Sequence, residues 1–179
     1  GTWLLSILAG HWRYSHVTAI RSDGVNPGLL GMSKVVSEDA LRRALKTIDE
    51  EAGPAWLGSH LDKSARLLLN VPWALDVDTT VKCLYGKQEA AIVGYNPKKP
   101  GRPSHTYHTY LMAGLRLVLD VDVLAGNESH ANHTMPVLLR ILDELPPGSK
   151  QKLVRGDCGF GSEPVIAELE KRSVSYLFK

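Results

Sequence analysis

The sequence predicts an α/β protein: a mixed sheet of order β-β-β-α-β-α-β, preceded by a helical N-terminal arm. Three observations carry this. Apolar residues recur at helical spacing through the first 70 residues. From Trp73 the spacing drops to that of strands and holds across several segments punctuated by Gly, Pro and Asn. After Pro136, helical and strand patterns alternate. The chain's 179 residues, 44% hydrophobic and 22% charged, suffice for one packed domain with an arm. The expected division is 1–70 for the arm and 71–179 for the sheet domain.

The opening Trp3–Gly10 segment reads as a helix cut mid-course. Ser37 is a natural cap for a helix running to about Glu51, with Leu41, Ala44, Leu45 and Ile48 at i, i+3, i+4 and i+7. Gly53-Pro54 breaks it. Trp56, Leu57, Leu61, Ala65 and Leu68 then mark a second helix ending before Pro72. Trp73–Asp78 and Val81–Tyr85 are strand segments, and Gly86-Lys87 is a hairpin turn returning through Ala90–Tyr95. Asn96-Pro97-Lys98-Lys99-Pro100-Gly101-Arg102-Pro103 cannot be regular structure and is a loop. Tyr107–Ala113 and Leu115–Leu124 are strands. Pro136 suits a first helical turn, with the stripe Leu138, Ile141, Leu142 and Leu145 following until Pro146-Pro147-Gly148. Lys152–Arg155 is a buried-type strand, Ser162 caps a helix through Lys171, and Val174–Phe178 begins a further strand.

Composition excludes several classes. With 21 Lys and Arg against 19 Asp and Glu the net charge is +2, too small by itself to mark a nucleic-acid binder, so local charge must decide. No apolar run approaches the about 18 residues of a membrane span, and the opening segment lacks the basic lead-in of a signal peptide. Cys83 and Cys158 are the only cysteines and make no disulfide framework, so a reducing cytoplasm is expected. Asn127-Glu128-Ser129 and Asn132-His133-Thr134 match the glycosylation pattern but, without a secretory route, read as accidental.

The chemistry is expected in two acid-bearing segments, Trp73-Ala74-Leu75-Asp76-Val77-Asp78-Thr79-Thr80 and Leu153-Val154-Arg155-Gly156-Asp157-Cys158-Gly159-Phe160. Each is an apolar run ending on a carboxylate followed by Thr or Cys-Gly, which delivers an acid to the rim of a sheet. Two such acids form an oxygen-rich pocket suited to Mg²⁺ or Mn²⁺. Two divalent ions about 3.5–4 Å apart activate an attacking oxygen and stabilise a leaving one in phosphodiester chemistry. Alternation puts Asp76 and Asp78 on one face. Asp78, nearer the strand end and before the Thr pair, is the preferred ligand, with Thr79 and Thr80 as supporting hydroxyls. Gly156 and Gly159 allow close approach around Asp157.

Other charged groups weigh differently. Lys98, Lys99, Arg102 and His105 make a stiff basic finger suited to phosphate, against the blander reading of a solubilising loop. Arg155 meets either a phosphate or a neighbouring acid. Leu119-Asp120-Val121-Asp122 repeats residues 75–78 without the following Thr or Gly and reads as a solvated face of an edge strand. His105-x-x-His108 and His130-x-x-His133 lack a completing thiol or acid for zinc and read as ordinary histidines.

Antiparallel strands followed by alternating α/β units are the layout of a ribonuclease-H-like domain, in which the first strand is central and the strand after the first helix lies beside it. That layout would bring Asp78 and Asp157 together across 79 residues. Several ordered segments also resemble the bacterial DDE transposases of insertion sequences, the group called transposase DDE domain group 1. They are Gly10-His11-Trp12-Arg13-Tyr14 with Ala19-Ile20-Arg21-Ser22-Asp23, Ser37-Glu38-Asp39-Ala40-Leu41-Arg42-Arg43, and Leu75-Asp76-Val77-Asp78-Thr79-Thr80-Val81. Tyr85-Gly86-Lys87-Gln88-Glu89, Gly94–Ser104 and Arg155-Gly156-Asp157-Cys158-Gly159-Phe160 complete the set.

The resemblance implies a ribonuclease-H-like core using two Mg²⁺ (or Mn²⁺) ions. It implies hydrolysis at transposon ends and strand transfer into target DNA, with Asp78 and Asp157 as the first two acids of a catalytic triad and metal ligands. It implies double-stranded DNA as partner, a homodimer in the synaptic complex, no membrane, and a cytoplasmic, nucleoid-associated setting. The family's third acid, a Glu on a later helix, is expected to be absent here, since Glu163, Glu168 and Glu170 come too early. The chain is thus expected to be a fragment inactive alone. His105-Thr106-Tyr107-His108 departs from the family's Tyr and Pro at that point.

Two rivals stand beside it. Asp76-Val77-Asp78-Thr79-Thr80 fits the opening of haloacid-dehalogenase-like phosphatases, with Asp76 as nucleophile and Asp78 as acid/base. The basic β-rich segment that follows argues against this. The second rival is a transposase remnant that only binds DNA.

Overall fold

The computed structural model describes residues 1–179 except Pro97 and Ser129, and except the side chains of His130, Ala131 and Asn132. The loop residue Pro97, the first glycosylation match at Ser129, the second at Asn132 and the His130 half of its His-x-x-His pair therefore lie outside the described residues.

The chain divides into two compact units, Gly1–Ala55 and Trp56–Lys179. The first contains α1 (Thr2–Leu8), α2 (Val17–Arg21), α3 (Asn26–Leu29) and α4 (Glu38–Lys46). They close on a small core of Leu5, Val17, Ile20, Val35 and Leu41. The Ser37 hydroxyl accepts the Ala40 N–H at 3.2 Å and so starts α4. That helix stops at Lys46, short of the expected Glu51. The break is not Gly53-Pro54: both lie in the first turn of α5 (Ala52–Arg66), where a proline's missing N–H costs nothing. Asp49 makes the boundary, accepting the Glu51 and Ala52 N–H groups at 2.9 Å each.

The second unit is built on a six-stranded sheet. Its strands are β1 (Trp73–Cys83), β2 (Ile92–Val93), β3 (Pro103–Met112), β4 (Leu117–Ala125), β5 (Gln151–Gly156) and β6 (Tyr176–Phe178). β1 is central, antiparallel to β3 and parallel to β5. β6 continues parallel beyond β5, and β4 with the short β2 lines the far edge of β3. The two segments expected as Trp73–Asp78 and Val81–Tyr85 form one strand. The expected Ala90–Tyr95 return strand shrinks to two residues and pairs with β3, not β1. β3 pairs with β1 as far as Cys83, and the returning chain adds to the outer side of β3 at Pro103 and Ser104 instead.

α6 (His130–Asp143) connects β4 to β5, and α7 (Glu163–Lys171) connects β5 to β6. Pro136 sits inside α6 rather than in its first turn, since the helix begins earlier than the apolar stripe. Leu138 and Ile141 of α6 and Val165 and Leu169 of α7 pack with Leu75, Val77, Tyr110, Met112 and Val154 in one core. Both helices therefore cover the same face of the sheet. Alternation sends the other half of each strand to the opposite face. Asp78, Lys82 and Arg155 are exposed there.

The repeated Leu119–Asp122 segment is not a solvated face. Asp120 pairs across strands with Tyr110 and Asp122 with His108, both buried to 1% exposure or less. The two acids therefore share the covered side. Arg140 of α6 binds Asp120 there, and burial together with Asp120 raises the Asp122 carboxyl above its ordinary value.

Candidate functional site

The parallel pairing of β1 with β5 sets Asp76 opposite Arg155. It runs on past the last hydrogen-bonded pair: a β-carbon on Gly156 would stand 3.3 Å from the Val77 carbonyl oxygen. Asp78 and Asp157 each follow one residue beyond that approach, Asp157 lying just past the end of β5. Both belong to the open face by alternation from the Asp76–Arg155 pair, and both are exposed. Asp157 has extended backbone and caps a short 3-10 turn, Cys158–Phe160, by accepting the Gly159 N–H at 2.9 Å on Oδ1. The Asp78 carboxylate has no hydrogen-bond or ion-pair partner among the described residues, and its backbone carbonyl accepts the Thr109 hydroxyl at 3.3 Å.

Asp76 is committed elsewhere. Arg155 Nε and Nη2 donate to its two oxygens at 2.6 and 2.7 Å, and this carboxylate holds the guanidinium's proton more tightly than usual. Of the two expectations for Arg155, phosphate or acid, the acid is what it meets here. The Thr pair also divides. Thr79 turns to the covered side, its hydroxyl 3.4 Å from His108 Nδ1, so it does not support the Asp78 carboxylate. Only Thr80 remains on the open face with Asp78.

The basic loop is fastened to the far end of β1. Buried Asn96 donates to Cys83 Sγ at 2.9 Å and accepts the Lys99 N–H at 3.1 Å. Lys99 bonds the Tyr85 hydroxyl, which raises the ammonium's pKa. Arg102 lies 4.7 Å from the Tyr85 ring centre. Lys98 is exposed. His105 Nε2 donates to the Glu89 carbonyl at 2.7 Å, so one of its two ring nitrogens is occupied. From Asp78 to Cys83 is about 16 Å of strand, so loop and acids are separate features at different points along β1.

The donor chemistry at Asp78 and Asp157 fits a hard divalent cation: two carboxylates with hydroxyls nearby, beside the free thiol of Cys158. Among the described residues no group of three His, Cys, Asp or Glu side chains is placed to hold a metal. Glu168 is bound by Arg172 and Glu170 by the Tyr176 hydroxyl. His133 bonds Glu128 at 2.8 Å, and His108 Nδ1 lies 3.0 Å from the Thr134 hydroxyl. Sequence reasoning missed Tyr85, Asn96, Thr109 and Lys82. Lys82 alone had a signal, since it stands an even number of residues from Asp78.

A central strand flanked by an antiparallel neighbour on one side and a parallel one, reached through a helix, on the other defines a ribonuclease-H-like α/β protein. The transposase DDE domain family matches residues 70–179, and the chain belongs to that family. No curated protein sequence matches it.

Among solved structures it is similar to the HTLV-2 integrase catalytic core domain in complex with magnesium (trimeric form), at 14% identity, 61% of each chain and a TM-score of 0.41. The piggyBac transposase synaptic complex with hairpin DNA is matched at 16% identity, 99% of this chain, 40% of that chain and 0.40. The Mos1 transposase paired-end complex is matched at 13% identity, 93% of this chain, 58% of that chain and 0.39. The chain thus spans less than two thirds of each, and the fold assignment rests on the strand order above. No helix among the described residues is long and apolar enough to cross a membrane.

Proposed function

We propose that the protein is the core of a DNA transposase of the insertion-sequence type, cutting phosphodiester bonds at transposon ends and joining the freed ends to target DNA. What supports this most is the parallel pairing of Asp76 with Arg155, a register that, continued two residues, would set the exposed Asp78 beside the exposed Asp157. In this reading Asp78 and Asp157 are catalytic and hold Mg²⁺ or Mn²⁺. They are two of the three carboxylates the family resemblance implies. The bound ions supply activation of the attacking oxygen and stabilisation of the leaving oxygen. The chain's own residues present the acids without a competing partner at Asp78, keep Asp157 extended through its Gly159 bond, and place hydroxyls of Thr80 and Thr109 alongside.

In hydrolysis a water oxygen forms the new bond to phosphorus while the 3′-oxygen leaves and takes a proton. In strand transfer that 3′-hydroxyl loses its proton and forms a bond to a target phosphorus, while the target strand's own 3′-oxygen leaves and takes up a proton. Lys98, Lys99, Arg102 and His105 contact the phosphate backbone of double-stranded DNA, and Arg155 borders the acid pair. Two copies, one per transposon end, form the working homodimer, on DNA in a cytoplasmic, nucleoid-associated setting. The phosphatase alternative is disfavoured by the family membership and by Asp76, whose two oxygens are both taken by Arg155 and so poorly disposed for attack.

Titration of the chain with Mn²⁺, read by electron paramagnetic resonance, tests the reading. Asp78→Asn and Asp157→Asn should each lower affinity about tenfold or more. Unchanged binding in both variants would refute the assigned cation site.

A further inference from the structure

Four residues beyond Asp78 on the same strand, Lys82 returns to the open face, cross-strand from His105. It is exposed, and its ammonium meets no carboxylate or hydrogen-bond acceptor among the described residues. Most other cations near the site are engaged: Arg155 by Asp76, Lys99 by Tyr85, Arg102 against the Tyr85 ring. Between Asp78 and the basic loop, the outward positions on β1 and β3 are Thr80, Lys82, Tyr107 and His105. They offer hydroxyls, a ring nitrogen and an ammonium, and no carboxylate. Along this strip, between the acids and the cation-laden Tyr85, Lys82 carries the only full charge at these outward β1 and β3 positions.

We propose that this strip is a phosphate-backbone track laid along β1, in which Lys82 is the middle contact between the acid pair and the Tyr85 cluster. The proposal rests on the DNA reading above and deepens it by naming where the strand runs. Lys82 stands about 13 Å of strand from Asp78. That span covers about four phosphates of one DNA strand, at about 3.4 Å of helix axis each. A compact ammonium on a flexible stem suits such a contact, binding phosphate as a point charge without reading sequence. The pleat is what makes the track: Val81 and Cys83 face the covered side, so only every second residue of β1 reaches the DNA.

Fluorescence anisotropy with a labelled duplex, using the full 179-residue chain between 50 and 200 mM salt, tests the track. Lys82→Ala and Lys82→Gln should each make the slope of log affinity against log salt shallower by about 0.9, one phosphate contact. The wild-type advantage in affinity should then shrink about 3.5-fold across that salt range. Lys82→Arg should restore the slope. Lys171→Ala, on α7 over the covered face, should leave it unchanged. Duplex binding with an unaltered slope in both Lys82 variants would overturn the track and leave the transposase reading standing. Absence of salt-dependent duplex binding by the wild-type chain would remove both.

Discussion

Arg155 grips Asp76 from the adjoining parallel strand through contacts of 2.6 and 2.7 Å, one step along the open face from Asp78 and Asp157. The pair does two things. It ties β5 to β1 where their pairing ends, and it confines a fixed positive charge two residues before Asp78 and Asp157, the proposed cation ligands. Asp76→Asn should release the guanidinium toward the next carboxylates on the same face, Asp78 and Asp157. Divalent affinity should then fall while the fold persists, because exposed ion pairs add little stability. Mn²⁺ titration beside a thermal melt separates the two effects, and unchanged Mn²⁺ affinity would show that Arg155 does not control the site.

Gly156 is the hinge between β5 and the Asp157 turn. A β-carbon there would lie 2.8 Å from Phe160 Cδ2, and Phe160 is almost fully buried. Gly156→Ala must push the ring or the turn aside, at a cost of about 1–3 kcal/mol. The displaced Asp157 should weaken Mn²⁺ binding in step with the loss of stability. Chemical denaturation measures the first and resonance titration the second; a stable variant with full metal affinity would show that the turn tolerates the side chain.

Much of this architecture was legible because the local signals agreed. The change of apolar period at Trp73, the Pro146-Pro147-Gly148 stop before β5 and the Ser37 cap each identify their element without help from the rest of the chain. Alternation likewise put Asp76 and Asp78 on one side of β1, and the α/β order made β5 the parallel neighbour of β1. What escaped depended on partners distant in sequence. Alternation says that Asp120 and Asp122 share a face but not which face is covered. That is decided by Tyr110 and His108 across the sheet and by Arg140 on α6. The failed β2 hairpin is likewise invisible until β3, from beyond the basic loop, has paired with β1 as far as Cys83. Asp76's commitment could not be read locally either, because its partner lies 79 residues away.

Tyr85 organises the basic loop without carrying charge. Lys99 bonds its hydroxyl and Arg102 lies against its ring. Tyr85→Ala should let both cations wander, lowering duplex affinity through lost preorganisation while every phosphate-binding charge remains. The salt slope should therefore stay near wild type, in contrast to Lys99→Ala or Arg102→Ala, which remove a charge and flatten it. Anisotropy at several salt concentrations distinguishes them. A Tyr85→Ala slope as shallow as that of the charge variants would mean the loop has left the DNA altogether.

The acids beneath α6 predict a pH dependence unrelated to catalysis. Burial first, then the neighbouring Asp120, raises the Asp122 carboxyl above 3.8, while Arg140 and His133 pull the other way. Above that ordinary value the folded protein holds a proton that the unfolded chain has released. Stability must therefore fall as pH rises through the raised value, and the penalty is complete above it. Asp122→Asn keeps the shape and removes the charge. Its melting temperature should exceed that of wild type at pH 7, and the gap should close as the pH is lowered through the raised value, where the wild-type carboxyl takes up its proton. Thermal melts across that range test the sign directly. A gap that widens toward acid would mean that the Asp122 carboxylate stabilises the fold through Arg140 and His133 more than its burial and its neighbour Asp120 oppose it.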